Sequence, residues 1–534
     1  MRDFQQPGRS PVHGTNGMAA TSHPLATLTA VAILGYGGNA VDAGIAAAAV
    51  LAVVEPQSTG VGGDAFALFV PGGTGEVVAL NGSGRAPAAI DAEALQGRFG
   101  RHIPPDSPHA VTVPGCVAAW DRLRRDFGTM DMADLLQPAI SYAEDGYPVA
   151  ERIAFDWAEN REKLLRDDTA RRVFLDASGA PPAMGSLHRQ PLLAGTLREI
   201  AAHGRAGFYE GRVAEDIVET LRARGGVHTL EDFGTAEAAY VSPIQTRYRG
   251  YDIFECPPNG QGVTALLMLN LLSRFDVSAM DPLGAERFHL EGELTRLAFE
   301  VRDAHIGDPE TSDVPVDELL SPAFADRLLG GFDPDRAGAG GSGAPSAGDF
   351  PVHPETVYLT VVDEDRNALS FINSIFFSFG SGIVSPRSGV VLHNRGAGFV
   401  LEAGHPNGLA PGKRPLHTII PAIAMKDGRA ALSFGVMHGQ YQPVGQVRVL
   451  SNILDYGLNV QAAIDQPRAF NFGGRYDLER GVGEATAGAL AAKGHRITRA
   501  AVPWGGAQAI RIDWETGVLT GGSDPRKDGL ALGH

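Results

Sequence analysis

A stretch of low sequence complexity divides this 534-residue chain into two parts with different patterns. In LGGFDPDRAGAGGSGAPSAGDFPVHPE, Gly, Ala, Ser and Pro replace the apolar periodicity of the preceding residues. This composition is typical of a flexible linker, which we place at about 334–352. Before it, residues from about 115 to 330 are predicted to be mostly helical, and after it the pattern changes.

The residues after the linker predict a β-rich segment. TVYLTVVD, ALSFINSIF, GVVLHN, TIIPAIAMKDG and AALSFGVM read as strands, and GQVRVLSNILDYG and NVQAAIDQ have helical spacing. Thr356 is the first residue of this segment and follows Glu355 directly. On those few residues alone, Thr356 is most simply a β-branched residue that opens a strand.

The most apolar run of the chain predicts a buried helix. GGNAVDAGIAAAAVLAVVEP begins with a Gly-Gly turn, offers Asn39 or Asp42 near the helix start, and continues with small residues that can pack closely on a sheet. The glycines and polar residues at its start would be costly in hydrocarbon, so a soluble helix is predicted rather than a membrane span.

The charge balance excludes some classes of partner. With 62 acidic and 45 basic residues the net charge is −17, whereas nucleic-acid and anionic-membrane surfaces need a basic footprint. The hydrophobic fraction of 44% is that of an ordinary globular protein, with two to four units or one large α/β body. A small polar metabolite is the expected ligand.

No cofactor or metal is predicted. Cys116 and Cys256 are too few for a disulfide framework, and the 16 histidines show no H-E-x-x-H or H-x-x-H cluster. The glycines of TGVGGDAF fit neither a dinucleotide-binding loop nor a P-loop. The first twenty residues lack the apolar region of a signal peptide, so a cytoplasmic protein is predicted.

A threonine that follows an exposed linker has a specific chemical use. An N-terminal threonine can be its own catalyst, because its hydroxyl is the nucleophile and its free α-amino group takes the proton. Self-cleavage would expose that amine. In this scheme the Thr356 hydroxyl attacks the Glu355 carbonyl, an ester forms, and water releases it.

Several long blocks of the chain resemble the γ-glutamyltranspeptidase family of N-terminal nucleophile hydrolases. They are GGNAVDAGIAAAAVLAVVEPQSTGVGGDAFALFV, PPNGQGVTALLMLNLL, FGSGIV, APGKRPLHTIIPAI and LDYGLNVQAAIDQPR, in the family's order, and the likeness runs from about residue 17 to about 530. The resemblance implies an α+β, four-layer αββα sandwich. It also implies a precursor that cleaves itself into a large subunit, 1–355, and a small one, 356–534, which stay associated.

The resemblance assigns the catalytic residues. Thr356 matches the family's nucleophile, and Ser374 stands where the family has a threonine that bonds to the nucleophile's amine. The FGVMHGQ loop matches the family's glycine pair, so that His438 and Gly439 would offer backbone N–H groups to the oxyanion. The cleavage site implied is Glu355–Thr356.

The positions that read the substrate differ from the family's pattern. Where the family binds the two ends of glutamate with Asn, Gln and Asp, this chain has Phe376, Arg395 and Gly398. The family's paired serines are replaced by His417 and Thr418. The loss of the acidic group removes the partner of a substrate ammonium, and Arg395 would repel that ammonium.

A second arginine completes the predicted binding site. The family's carboxylate-binding arginine aligns with Ser83, and Arg85 lies two residues away. From the residues alone, a structural ion pair or a solvated surface charge is the favoured interpretation for both Arg85 and Arg395. With the resemblance, Arg85 and Arg395, together with His417 and Thr418, are predicted to bind an acyl group that has a carboxylate and no α-ammonium.

The predicted function is therefore amide hydrolysis or acyl transfer through an acyl-enzyme on Thr356, in an amidohydrolase or acylase branch of the family. Two alternatives stay open: a true γ-glutamyltransferase or glutathione hydrolase, and a non-catalytic relative that acts as a binding protein. The acyl acceptor and the existence of a homodimer are also left open by the sequence.

Overall fold

The computed structural model describes residues 4–5, 8–338 and 356–534. Most of the predicted linker, from 339 onwards, and Glu355 lie outside the described residues. No helix in the described ranges is both long enough and apolar enough to cross a membrane.

Most strands belong to two large sheets. Their bounds are β1 Val12–Gly14, β2 Met18–Thr21, β3 Asp64–Val70, β4 Val78–Gly82, β5 Tyr147–Pro148, β6 Leu187–His188, β7 Ala239–Val241, β8 Ile244–Tyr248, β9 Tyr251–Glu255, β10 Val357–Val362, β11 Ala368–Ser374, β12 Ala422–Lys426, β13 Arg429–Val436, β14 Ala469–Phe472, β15 Arg475–Leu478, β16 Ile497–Arg499, β17 Ala507–Ile512, β18 Leu519–Ser523 and β19 Leu530–Gly533.

The helices cover the outer faces of the sheets and form the region between β4 and β7. Their bounds are α1 Pro24–Gly35, α2 Ala40–Val54, α3 Ala92–Phe99, α4 Cys116–Phe127, α5 Met132–Asp145, α6 Glu151–Glu159, α7 Arg161–Leu164, α8 Asp168–Phe174, α9 Pro191–His203, α10 Ala206–Tyr209, α11 Gly211–Arg222, α12 Leu230–Gly234, α13 Gly262–Leu272, α14 Ala285–His305, α15 Val316–Leu319, α16 Pro322–Leu328, α17 Gln442–Leu454, α18 Val460–Asp465 and α19 Glu484–Ala492.

The two seven-stranded sheets pack face to face. One has the order β1-β18-β17-β13-β12-β9-β8 and the other β19-β2-β10-β11-β3-β4-β7. Large apolar side chains from both, such as Phe66, Tyr358 and Ile372 from one sheet and Ile423 and Ile510 from the other, form the buried layer between them. Their removal from water is the main force that holds the sheets together.

A layer of helices covers each sheet on its outer side. The fully buried α2 packs on β10 and β11, and α13 and α17 pack on the other sheet. As predicted, α2 begins at Asn39, whose side chain accepts hydrogen bonds from the N–H groups of Val41 and Asp42. The layers confirm the αββα sandwich expected from the sequence.

The region from 115 to 330 is mostly helical, as predicted, and it also contains β7, β8 and β9 of the two large sheets. One detail of the predicted secondary structure is wrong. GVVLHN is not a strand. Gly389 begins it with a φ of 69°, and Val391 forms only an isolated bridge with Val384. Periodicity alone did not distinguish this buried loop from a strand.

The register of three neighbouring strands positions the functional residues. Val357 at the start of β10 pairs with Asn373 on β11, so Thr356 lies beside Ser374. Ser374 in turn pairs with Asp64, the first residue of β3. The side chains of Thr356, Ser374 and Asp64 therefore lie next to one another at one end of the sheet.

The close approach of the sheets makes Gly435 on β13 sensitive to substitution. A Cβ at this position would lie 2.4 Å from Cε2 of Tyr358, whose hydroxyl is bonded to Ser370 Oγ at 2.8 Å. We expect Gly435→Ala to lower the free energy of unfolding by about 1–3 kcal/mol, because the ring has to move within a packed core. Denaturant titration measures the change.

The matched control is Gly488→Ala, on the exposed side of α19, where a Cβ meets no other atom. There the same substitution is expected to raise the free energy of unfolding by about 0.5–1 kcal/mol, because alanine is the better helix former. Equal effects of the two substitutions would contradict the packing argument.

Candidate active site

Thr356 and Ser374 form the centre of the candidate site. Their hydroxyl oxygens, Thr356 Oγ1 and Ser374 Oγ, are 2.9 Å apart, and both side chains are buried. The N–H of Phe376 donates to Ser374 Oγ at 2.9 Å. This donor favours an arrangement in which Ser374 donates its hydroxyl hydrogen to Thr356 Oγ1. A hydrogen bond of that kind orients the threonine hydroxyl.

Arg395 contacts Ser374. Its Nη2 donates to Ser374 Oγ at 3.4 Å and its Nη1 to Thr418 Oγ1 at 2.7 Å, while its Cζ lies 3.9 Å from the centre of the Phe376 ring. Arg395 is fully buried, and within the described residues no carboxylate lies within ion-pair distance of it. A buried guanidinium whose direct partners are hydroxyls is suited to bind an anion.

Burial affects the pKa of this guanidinium. It lowers the pKa of Arg395 to about 9, and the negative charge of Asp64 opposes that fall. Arg395 therefore stays positive at neutral pH.

Phe376 has a strained backbone that positions it over Arg395. Its φ of 75° is in the left-handed region, which residues with a Cβ rarely occupy, and its ring stacks on that of Phe377 at 4.5 Å between centroids. The turn between Ser374 and Phe376 thus places an apolar ring on one face of the guanidinium and leaves that face inaccessible to a polar ligand.

Asp64 is a functional candidate that the sequence interpretation missed. It is fully buried, and its Oδ1 accepts hydrogen bonds from the N–H groups of Gly84 at 3.0 Å and Gly115 at 3.1 Å. Its Oδ2 lies 2.9 Å from His417 Nε2 and 3.4 Å from His393 Nδ1. Burial would raise the pKa of Asp64, but the neighbouring histidines outweigh it and hold the pKa well below its ordinary value.

His417 bonds to Asp64 on one side of its ring and to the backbone on the other. The N–H of Ile419 donates to His417 Nδ1 at 3.3 Å, so the proton of the neutral ring is on Nε2, which donates to Asp64. Burial, together with the charge of Arg395, lowers the pKa of His417 to about 3. His417 therefore supports Asp64 as a neutral hydrogen-bond donor, and its neighbour Thr418 contacts Arg395.

The loop after β13 holds the predicted oxyanion donors. His438 has a φ of 95° and Gly439 a φ of 44°, so both are in the left-handed region that the family's glycines would occupy more easily. The His438 ring packs 5.0 Å from that of Trp504, and the Gly439 carbonyl accepts a hydrogen bond from Gln261 Nε2 at 3.0 Å. These contacts hold the backbone of the loop in place.

Arg85 lies apart from this group. Its side chain is 38% exposed and pairs with Glu310 at 2.7 Å, and its Nη1 donates to the Gly412 carbonyl at 3.0 Å. Arg85 holds the pKa of Glu310 below its usual value, and Arg414 acts in the same direction. The structure places Arg85 in an ion pair, one of the two interpretations that the residues alone favoured, and its role in substrate binding stays a prediction.

Metal chemistry has no candidate ligand group here. In ranges 4–5, 8–338 and 356–534, no three His, Cys, Asp or Glu side chains are placed to hold a metal ion together.

Comparison with known proteins gives the family. The family model described as Gamma-glutamyltranspeptidase matches residues 26–534. The chain belongs to this family. It is 37% identical to a glutathione hydrolase-like YwrD proenzyme of Bacillus subtilis, over 98% of this chain and 99% of the relative. It is 38% identical to an oxamate amidohydrolase proenzyme of Klebsiella pneumoniae, over 97% of this chain and 99% of the relative.

A solved structure agrees with these relatives. Cephalosporin acylase from Bacillus halodurans superposes with a TM-score of 0.92 at 38% identity and covers 100% of this chain and 99% of its own. The γ-glutamyltranspeptidase family member described here therefore has the N-terminal nucleophile hydrolase fold. It is an amide hydrolase or acyltransferase of the amidohydrolase and acylase branch, as expected from the sequence.

The buried neutral His417 predicts a pH dependence of stability. The unfolded chain binds a proton at this residue as the pH falls below about 6.5, whereas the folded protein does not until about pH 3. Stability from this group is thus present at neutral pH and lost as the pH falls. Between pH 6 and 5 the loss is about 1 kcal/mol.

Urea unfolding of the wild type and of His417→Gln at both pH values measures this contribution. We expect the drop in unfolding free energy between pH 6 and 5 to be smaller in the variant by about 1 kcal/mol, because glutamine does not titrate. An equal drop in both proteins would show that His417 is not held neutral.

Proposed function

We propose that this protein is a self-processing N-terminal threonine amidohydrolase for small amides whose acyl group has a carboxylate and no α-ammonium. The observation that carries the proposal is the buried Arg395, whose guanidinium bonds to the hydroxyl of Ser374, the residue in contact with Thr356. An anion-binding group is thus one hydroxyl away from the candidate nucleophile.

Processing comes first in this proposal. The Thr356 hydroxyl attacks the carbonyl carbon of Glu355, the peptide C–N bond breaks, and the nitrogen becomes the free α-amine of Thr356. Water then hydrolyses the ester and leaves a carboxylate on Glu355 and a hydroxyl on Thr356. The products would be fragments 1–355 and 356–534. The relatives named proenzymes support this step.

The freed threonine then acts on the substrate. Its amine accepts the hydroxyl proton while Oγ1 attacks the amide carbonyl, and the backbone N–H groups of the 438–439 loop stabilise the oxyanion. The proton passes to the leaving amine as the C–N bond breaks. Water then attacks the acyl carbon and gives a proton to the α-amine, which passes the proton to Oγ1 as the ester bond breaks and the acid leaves. Ser374 keeps Oγ1 oriented throughout.

The distances favour a short acyl group. Ser374 Oγ is 2.9 Å from Thr356 Oγ1 and 3.4 Å from Arg395 Nη2, so a carboxylate bound to Arg395 lies close to the attacked carbonyl. A monoamide of a small diacid fits this spacing. The 38% identity to a relative named oxamate amidohydrolase supports the same substrate class.

Substitution of the nucleophile tests processing. We expect Thr356→Ala to give one uncleaved, inactive chain, because alanine has no hydroxyl to attack Glu355. The wild type is expected to give two fragments, the smaller beginning TVYLTVV. Intact mass and N-terminal sequencing measure both.

Thr356→Ser is the matched control, since it keeps a hydroxyl and should still be cleaved. A wild-type chain that remains whole for days at neutral pH would overturn the proposal and favour the non-catalytic alternative.

Substitution of Arg395 tests carboxylate recognition. Arg395→Met is expected to lower kcat/KM for oxamate by about 10–100-fold, because a charged hydrogen bond of about 1.5–3 kcal/mol is lost. Arg85→Met provides the comparison. A loss below about fivefold is expected there, because Arg85 pairs with Glu310 near the surface.

The same assay decides between the two substrate classes. The wild type should prefer dicarboxylic monoamides to γ-glutamyl anilides, because the positive charge of Arg395 repels an α-ammonium. Far faster turnover of γ-glutamyl anilides would instead identify a γ-glutamyltransferase.

A further inference from the structure

The side chain of Gln261 joins three segments around the candidate site. It is fully buried directly before α13, and its Nε2 donates to the carbonyl oxygens of Thr418 at 2.7 Å and Gly439 at 3.0 Å. Its Oε1 accepts from Nη1 of Arg302, on α14, at 3.0 Å. A primary amide has two N–H donors and one carbonyl oxygen, so both hydrogens and the oxygen of this amide are bonded.

The partners of the Gln261 amide allow it one orientation. A guanidinium only donates hydrogen bonds and a backbone carbonyl only accepts them, so the amide oxygen must face Arg302 and the nitrogen must face the two carbonyls. A half-turn of the amide would set its oxygen against two carbonyl oxygens and its NH2 group against a cation. Arg302 therefore determines which way the amide points.

Arg302 is held in place by the neighbouring carboxylate. It is buried, and its Nε and Nη2 donate to Asp303 Oδ1 at 2.8 Å and 2.6 Å. Its Nη1 also donates to the side-chain oxygen of Gln440, the residue that follows Gly439. The two N–H groups of Nη1 thus bond to Gln261 and Gln440, and Arg302 supports the loop both through the amide and directly.

The 438–439 loop needs support because its backbone is strained. His438 has a φ of 95°, and a residue with a Cβ keeps such a value only where its surroundings hold it there. Gln261 bonds to the carbonyl of Gly439, whose own N–H is one of the predicted oxyanion donors. A shift of about 1 Å in a group that positions the reaction can cost about 100-fold in rate.

The carboxylate site has support that does not depend on the Gln261 side chain. The backbone N–H of His417 donates to the Asn259 carbonyl at 2.8 Å, and the backbone N–H of Gln261 donates to the His417 carbonyl at 2.9 Å. Thr418, which accepts from Arg395, follows in the same segment. Removal of the amide alone should therefore disturb the 438–439 loop more than the binding site at Arg395.

We propose that Gln261 is a positioning residue for the oxyanion donors of the 438–439 loop, and that Arg302 is the group that orients it. The inference rests on the proposed function, because it needs this loop to stabilise the oxyanion. Neither side chain would contact the substrate. Their loss is expected to slow the chemical step and to leave the binding of a carboxylate at Arg395 nearly unchanged.

Gln261→Met tests the proposal, because methionine has a similar length and lacks the amide. We expect kcat for oxamate to fall by about 10–100-fold, because the oxyanion donors are displaced. Propionate has a carboxylate but no amide and forms no oxyanion, so its Kd should stay within about threefold. The value of kcat is expressed per free Thr356, counted by intact mass, so that incomplete processing does not imitate a loss of rate.

Two variants of Arg302 test the orientation of the amide. Arg302→Met is expected to lower kcat as well, whereas Arg302→Lys should recover part of it, because an ammonium can still donate to Gln261 and Gln440. If Arg302 acts through Gln261, the double variant Gln261→Met/Arg302→Met loses less than the product of the two single losses. The two Arg302 variants also carry the test if Gln261→Met does not fold.

Gln461→Met is the matched control. The buried amide of Gln461 also makes three hydrogen bonds: Nε2 donates to Asp465 Oδ1 at 2.9 Å and to the Ser523 carbonyl at 3.0 Å, and Oε1 accepts from the Ser523 N–H at 3.0 Å. Among the described residues these partners lie on α18 and β18. This variant should lose stability, as Gln261→Met does, but keep kcat within about twofold.

The results separate this inference from the proposed function. If the wild type hydrolyses oxamate and Gln261→Met keeps its kcat, the inference is wrong and the proposed function stands. A rise in the Kd of propionate as large as the fall in kcat would also overturn the inference, because Gln261 would then support the carboxylate site. A wild type that stays whole, or that hydrolyses no amide, would overturn both.

Discussion

The pairing register of β10, β11 and β3 is the constraint on which the rest of the site depends. It sets Thr356, Ser374 and Asp64 side by side at one end of a buried sheet. A shift of one residue would turn these side chains to the opposite face. The apolar contacts on both faces of the sheet therefore fix the chemistry, since they hold the register in which the polar ends meet.

The second characteristic of the site is its use of buried charge. Arg395 donates hydrogen bonds to hydroxyls rather than to a carboxylate. Asp64 lies near enough to stabilise the positive charge of Arg395 without forming an ion pair with its guanidinium. A direct ion pair would have been satisfied internally and would have left nothing to bind a ligand. The separation of the two charges keeps Arg395 available for an anion.

Local motifs predicted the parts of the site that lie on single segments. The capped helix α2 follows from a pattern within one block of sequence, whereas the fold and the pairing of Thr356 with Ser374 were implied by the family resemblance, which assigned Ser374 to the amine of Thr356; the contact seen is between the two hydroxyls. Asp64 has no local signal, because its histidine partners are more than 300 residues away. The ion pair of Arg85 with Glu310 spans 225 residues and has no local signal. His393 lies in a loop whose apolar residues imitate a strand.

The order of strands has a mechanical consequence. Both sheets contain strands from either side of the Glu355–Thr356 bond: β10 and β11 lie between β2 and β3, and β12, β13, β17 and β18 lie between β1 and β9. Neither the 1–355 fragment nor the 356–534 fragment would contain all the strands of either large sheet. After cleavage the pieces would be interlocked by backbone hydrogen bonds on several strand borders, so separating them would require the whole sandwich to melt. A chain cut in this way would behave as one cooperative body without a covalent link.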